Sequence, residues 1–219
     1  LVLAETRQAL QQAIRLVRLE IEPLTAVFDT DAALAAGAPQ LHEKHPGNLL
    51  MQAEIRKGDA QSAMADCHAV VEGEFSTPVQ AHAFLETENG VAWLEEDGAI
   101  AMTVSTQSPF RDRIEIGNAL GIPFTSIRIS APSLGGGFGG KDGATVQCLL
   151  ALAALNADGR PVRMQWDREE SMAAGYKRHA CQLKYRLGAK RDGTLHALEC
   201  ELLYDTGAYA HLGGEVMEL

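Results

Sequence analysis

Gly135-Gly136-Gly137-Phe138-Gly139-Gly140-Lys141-Asp142 is the densest glycine run in the chain. Glycine reaches positive φ without penalty and lets backbone N–H groups come close to a ligand, so such a stretch suits a cofactor loop. A helix starting just after it would add the positive end of its dipole, which favours an anionic or oxo-bearing guest. The same residues meet two common patterns: Gly135, Gly137 and Gly140 fit GxGxxG, and Gly135 to Lys141 fits most of a phosphate loop. In a phosphate loop, however, Asp142 would stand where a hydroxyl should bind magnesium, and a carboxylate there repels phosphate. A dinucleotide site would use Asp167 as its ribose-binding acid, yet Ala131-Pro132-Ser133-Leu134 separates the preceding strand from the first glycine. A plain glycine-rich turn is the third reading.

The elements that must position this loop are legible on both sides of it. Ser126 to Ser130 alternates like a strand, and a helix is expected from about Asp142, as its N-cap, through Gln147 to Leu155, apolar on nearly every side and therefore buried. Upstream, Ala69 to Phe75, Val91 to Leu94 and Ile100 to Val104 read as strands with turns at Gly90 and Gly98, and Phe110 to Leu120 has helical spacing. Downstream, Pro161 to Trp166 reads as a strand and Asp167 caps a short helix. Gln182 to Leu187 and Leu195 to Tyr204 read as strands joined by a turn at Lys190 to Gly193. At the start, Thr6 caps an amphipathic helix carrying Leu10, Ile14 and Val17, and Leu19 to Glu22 alternates like a strand. The polar run His42 to Asp59 marks a domain boundary, giving residues 1–55 and 56–219.

Composition narrows the partners. With 219 residues, 46% of them hydrophobic and 22% charged, the chain can bury one large core or two small ones. A net charge of -10 excludes a basic stripe for nucleic acid, since the longest basic cluster is Lys177-Arg178-His179. No apolar run approaches the roughly 20 residues of a membrane helix. Cys67, Cys148, Cys181 and Cys200 are scattered with no metal-ligand spacing, which fits buried thiols in the cytoplasm. Neither end has the look of a natural terminus, so the chain is expected to be a piece of a longer protein.

Gly135 to Lys141 resembles the GGGFGGK loop of the xanthine dehydrogenase and aldehyde oxidase family of molybdenum hydroxylases. Gln80-Ala81-His82-Ala83-Phe84-Leu85-Glu86 resembles the family's Q-x-H-x-x-L-E segment. Trp166 to Glu170, Tyr176 to His179 and Asp205 to Tyr209 are similar to further characteristic stretches, and Glu20 to Leu24 with Gly37-Ala38-Pro39 looks like the end of the family's smaller domain. The resemblance covers nearly the whole chain. It implies an α+β fold, a mixed-sheet molybdopterin-binding domain preceded by the end of a smaller, hammerhead-like α/β domain.

It also implies a molybdenum held by the dithiolene of a pterin and not by side chains. Gln80 and the Phe138 N–H would then hydrogen-bond the metal's ligands, and Gly136, Gly137 and Gly139 would line the cofactor. Asp142 and Arg178 would hold and polarise the substrate, an aza-heterocycle such as a purine or an aldehyde, which is hydroxylated with oxygen from water. Electrons would leave through iron-sulfur clusters and FAD on partner subunits or domains, in a homo- or hetero-oligomer. The family's general-base Glu belongs beyond residue 219, so this polypeptide alone is expected to be inactive. The alternatives are a non-catalytic scaffold with the same fold and a nicotinamide-dependent dehydrogenase.

Overall fold

The computed structural model describes residues 1–218. In chain order its elements begin with α1 (Arg7–Leu16), α2 (Thr30–Leu34), α3 (Ala60–Ala65), β1 (Ala69–Thr77) and β2 (Gln80–Ala81). Next come β3 (Asn89–Leu94), β4 (Ile100–Val104), α4 (Pro109–Leu120), β5 (Ile127–Ser130) and α5 (Gln147–Leu155). The series ends with β6 (Val162–Gln165), α6 (Arg168–Ala174), β7 (Lys177–Arg178), β8 (Ala180–Ala189), β9 (Leu195–Asp205) and α7 (Gly213–Glu218). The class is α+β with a mixed sheet, as expected.

Two compact units share the chain: residues 1–20 with 81–178, and residues 21–80 with 179–219. The first is built on a four-stranded sheet in the order β5-β4-β3-β6, in which only β4 and β5 run parallel. The β3 to β4 hairpin closes at Gly98, whose φ of 80° requires glycine, and the Asp97 carboxylate accepts the Ala99 N–H at 3.0 Å. Helix α4 starts on Pro109 and stops at Gly121 in the left-handed region, the two residues that best open and close a helix. Helices α4 and α5 pack on this sheet, and Ile100, Met102, Val104, Ile116, Ile127 and Leu150 form its core, each 2% exposed or less. In the second unit β1, β8 and β9 form an antiparallel sheet in that spatial order, with α3 packed on β9.

Caps read from the sequence hold: Thr6 accepts the Ala9 N–H at 3.1 Å, and Asp167 forms a full capping box with Glu170. Four expectations need correction. Gly90 lies not in a turn but inside β3, opposite Val104. Leu19 to Glu22 is not a strand, because no strand lies beside it to complete a ladder among the described residues, and Leu19 and Ile21 are 78% and 77% exposed. Helix α5 begins at Gln147 with Val146 as its N-cap, so Asp142 does not cap it. Nor is α5 buried all round: Leu150, Ala151, Ala153 and Ala154 face the core, whereas Leu149, Leu152 and Leu155 are 39%, 38% and 44% exposed. A sheet covers only one side of a helix, whatever the other side carries.

Candidate functional site

The glycine loop lies in the first unit between β5 and α5, and it is pinned from below by side chains that the glycine motif does not advertise. Its first residue is held by Glu86: the Glu86 N–H donates to the Gly135 carbonyl at 3.1 Å, and the Gly135 N–H donates to Glu86 Oε2 at 2.7 Å. Its far end is held by Gln107, whose Oε1 accepts the N–H groups of Gly139 at 3.0 Å and Lys141 at 3.2 Å. The Gln107 backbone N–H returns a bond to the Lys141 carbonyl at 2.9 Å.

Lys141 itself turns inward and is wholly buried. Its Nζ donates to the Glu86 carbonyl at 2.7 Å and to Ser105 Oγ at 2.8 Å, stands 3.5 Å from Glu86 Oε2, and lies 4.3 Å from the centre of the Phe84 ring. Burial pulls the Lys141 ammonium below its ordinary pKa, and the Glu86 carboxylate opposes that pull. For Glu86 burial acts upward, but the Gly135 N–H, Asn89, Lys141 and Ser105 together hold it below the usual carboxylate value. Glu88 is also fully buried and adds a second negative charge near Lys141.

The glycines answer to this packing as much as to a ligand. A Cβ on Gly135 would lie 2.5 Å from the Glu86 Cβ, one on Gly140 would lie 2.8 Å from His82 Nδ1 and from the Phe84 ring, and one on Gly137 would collide with the Gln107 carboxamide. Gly136 and Gly139 adopt φ of 96° and 88°. Phe138 does so too, at 54°, with its ring 75% exposed. A left-handed conformation costs a non-glycine residue about 1 kcal/mol, so the fold holds Phe138 there against its preference.

The N–H groups of Gly136, Gly137 and Phe138 find no acceptor among the described residues, and of the three residues Gly137 is buried, Gly136 half-buried and Phe138 exposed. The buried Nδ1 of His82, against Gly140, has no partner either. Three successive unpaired amides on a strip nearly free of side chains suit an anionic, oxo-bearing group, so the residues present fit a molybdopterin. A dinucleotide fits less well. Its fingerprint needs a helix N-terminus at the third glycine, and here α5 starts only at Gln147, beyond Lys141, which is committed inward.

The other residues singled out by sequence fall around this loop unevenly. Asp142 accepts a hydrogen bond from Ser108 Oγ and stands 3.9 Å from the Arg111 guanidinium, which accounts for its carboxylate without any helix cap. Arg178 is exposed at the end of β7, and no hydrogen bond or ion pair among the described residues joins it to Asp142. Gln80 is exposed in β2 and belongs to the second unit. Ser105 and Gln107 carried no signal of their own, and Glu86 stood only at the end of a motif, with nothing to tie it to the loop. The inward lysine was the nearest hint, since a phosphate-loop lysine without its hydroxyl partner has to find another use.

The sequence matches the family described as molybdopterin cofactor-binding domain over residues 41–219. It is 37% identical over 217 residues to a probable xanthine dehydrogenase subunit from Bacillus subtilis, spanning 99% of this chain and 29% of that protein. It is 36% identical over 216 residues to the nicotinate dehydrogenase large molybdopterin subunit of Eubacterium barkeri, spanning 99% of this chain and 50% of the other. The fold superposes on the aldehyde oxidoreductase of Desulfovibrio gigas with a TM-score of 0.90 at 27% identity, over 97% of this chain and 23% of that one. The chain thus spans half or less of the length of each of these relatives. With the family matched across most of its length, the chain belongs to the molybdopterin cofactor-binding domain family, that of the xanthine dehydrogenase and aldehyde oxidase type molybdenum hydroxylases.

Proposed function

We propose that the chain serves in the molybdopterin-binding subunit of a hydroxylase acting on an aza-heterocycle or an aldehyde. The unpaired amides of Gly136, Gly137 and Phe138, on a loop whose neighbouring amides are anchored by Glu86 and Gln107, carry the reading. The cofactor, when bound, supplies a two-electron oxidation in which water provides the oxygen. Gly136, Gly137 and Gly139 would line it, and Gln80 and the Phe138 N–H would offer hydrogen bonds to it.

Asp142 and Arg178 hold the substrate. A guanidinium beside a ring carbonyl would stabilise charge that builds up during attack. Asp142, steadied by Ser108 and Arg111, accepts a hydrogen bond from a ring N–H. Iron-sulfur and FAD partners would carry the electrons away. Residues 1–55 form the end of a smaller domain and residues 56–219 the first part of the cofactor-binding one.

The test is the molybdenum and pterin content of the full-length protein isolated with its partners from its own host. Near-stoichiometric metal and pterin are expected. Absence of both, in a host that loads other molybdenum enzymes, would overturn the assignment.

A further inference from the structure

We propose that Gln107 is a positioning residue for the cofactor loop, acting through the backbone of Gly139 and Lys141. Its carboxamide oxygen is the acceptor for both N–H groups, at 3.0 and 3.2 Å, and its own backbone N–H donates to the Lys141 carbonyl at 2.9 Å. Because both partners of the side chain are donors, chemistry fixes which end of the carboxamide faces them: only the oxygen can accept. The Gly140 N–H meanwhile donates to the Gly137 carbonyl at 2.8 Å. The turn from Gly137 to Lys141 is therefore closed by its own backbone and anchored as a unit on one side chain.

The consequence is a division of labour among the loop amides. Those of Gly139, Gly140 and Lys141 are spent internally, and those of Gly136, Gly137 and Phe138 are left for a ligand. A preorganised array binds without having to be ordered first, so removing its anchor weakens binding even where no ligand contact is lost. Gly137 fits the same account, because any side chain there would displace the Gln107 carboxamide. Gln107 is itself exposed, outside the hydrophobic core, so replacing it loosens the loop without opening that core.

The inference rests on the molybdopterin reading for what the loop holds, but the anchoring can be tested without any cofactor. Amide hydrogen exchange on the 219-residue chain would be compared for the native protein, Gln107→Leu and Gln107→Glu. Gln107→Leu should speed exchange at Gly139 and Lys141 about tenfold with the melting temperature little changed, and Gln107→Glu, which keeps an acceptor oxygen at the same reach, should restore protection. In the full-length protein with its partners, Gln107→Leu should lower retention of molybdenum and pterin about tenfold. Unaltered exchange in Gln107→Leu would overturn the anchoring. Faster exchange with undiminished cofactor retention would overturn its role in binding. A native protein that carries no pterin would sink the functional assignment instead, with the exchange result standing by itself.

Discussion

At the scale of single residues, Lys141 shows how the same motif residue can serve quite different physics. A lysine closing a glycine loop invites the expectation of a cation offered to a phosphate. Here it is buried, and its three N–H groups serve the Glu86 carbonyl, Ser105 and the Glu86 carboxylate. Lys141→Met keeps much of the side-chain volume but strips these bonds, leaving Glu86 and Ser105 short of a donor. We expect a loss of about 2 kcal/mol, measured by denaturant unfolding, with Lys141→Arg recovering only part because the planar guanidinium does not fit a site shaped for an ammonium. An unchanged midpoint for Lys141→Met would mean that the buried bonds contribute nothing net. The spacing of the glycines made the loop legible, whereas the parts played by Glu86, Ser105 and Gln107 were not, because a side chain that pins a loop from a distant segment leaves no local pattern.

At the scale of elements, α4 and α5 are joined by a buried polar contact: Gln147 Nε2 donates to Asp112 Oδ2 at 3.0 Å. Burial raises the Asp112 pKa from 3.8 to about 6, against hydrogen bonds from Thr106 and Gln147 that lower it, and the charges of Glu115 and Asp142 raise it further. An acid whose pKa is higher in the folded chain binds its proton more tightly there. Its contribution is fully present below pH 4 and is lost as the pH rises toward 6, amounting to about 3 kcal/mol over the window. Asp112→Asn removes this term, so the variant should exceed the native chain in stability at pH 7.5 and approach it at pH 4. Parallel pH profiles for the two proteins would show that Asp112 titrates normally. Most elements could be read in advance: Pro109 and Gly121 bracket α4, and Asp167 with Glu170 opens α6. The start of α5 could not, because Asp142 is a good cap by type and its carboxylate is taken up by Ser108.

At the scale of the whole molecule, local periodicity says nothing about which strands meet. The β8 to β9 hairpin was readable from the turn between them, but β1 pairs with β8 across more than a hundred residues, so a unit assembled from two distant stretches escaped a reading made along the chain. That sheet has two unlike faces. Glu72, Arg186 and Glu199 lie in one cross-strand row, ion-paired at 2.7 and 2.6 Å, and Glu74, Lys184 and Glu201 form the next. The opposite face carries Val71, Leu187 and Leu198 in one row and Phe75, Leu183 and Leu202 in another. Val71, Phe75 and Leu198 are 68%, 62% and 53% exposed, which makes this apolar side open to solvent in the chain as it stands. Open apolar faces bind apolar dyes and drive association. A Val71→Thr, Phe75→Thr double variant keeps strand-forming residues at both positions and should lower unfolding stability by about 1 kcal/mol, since both side chains are mostly exposed and what is lost is chiefly the edge contact of Phe75 with the Tyr185 ring. It should nevertheless bind distinctly less anilinonaphthalene sulfonate and self-associate less in sedimentation. Undiminished dye binding would mean that the face is covered in solution, and that the charged rows on the other side, not the apolar ones, set how this sheet meets its surroundings.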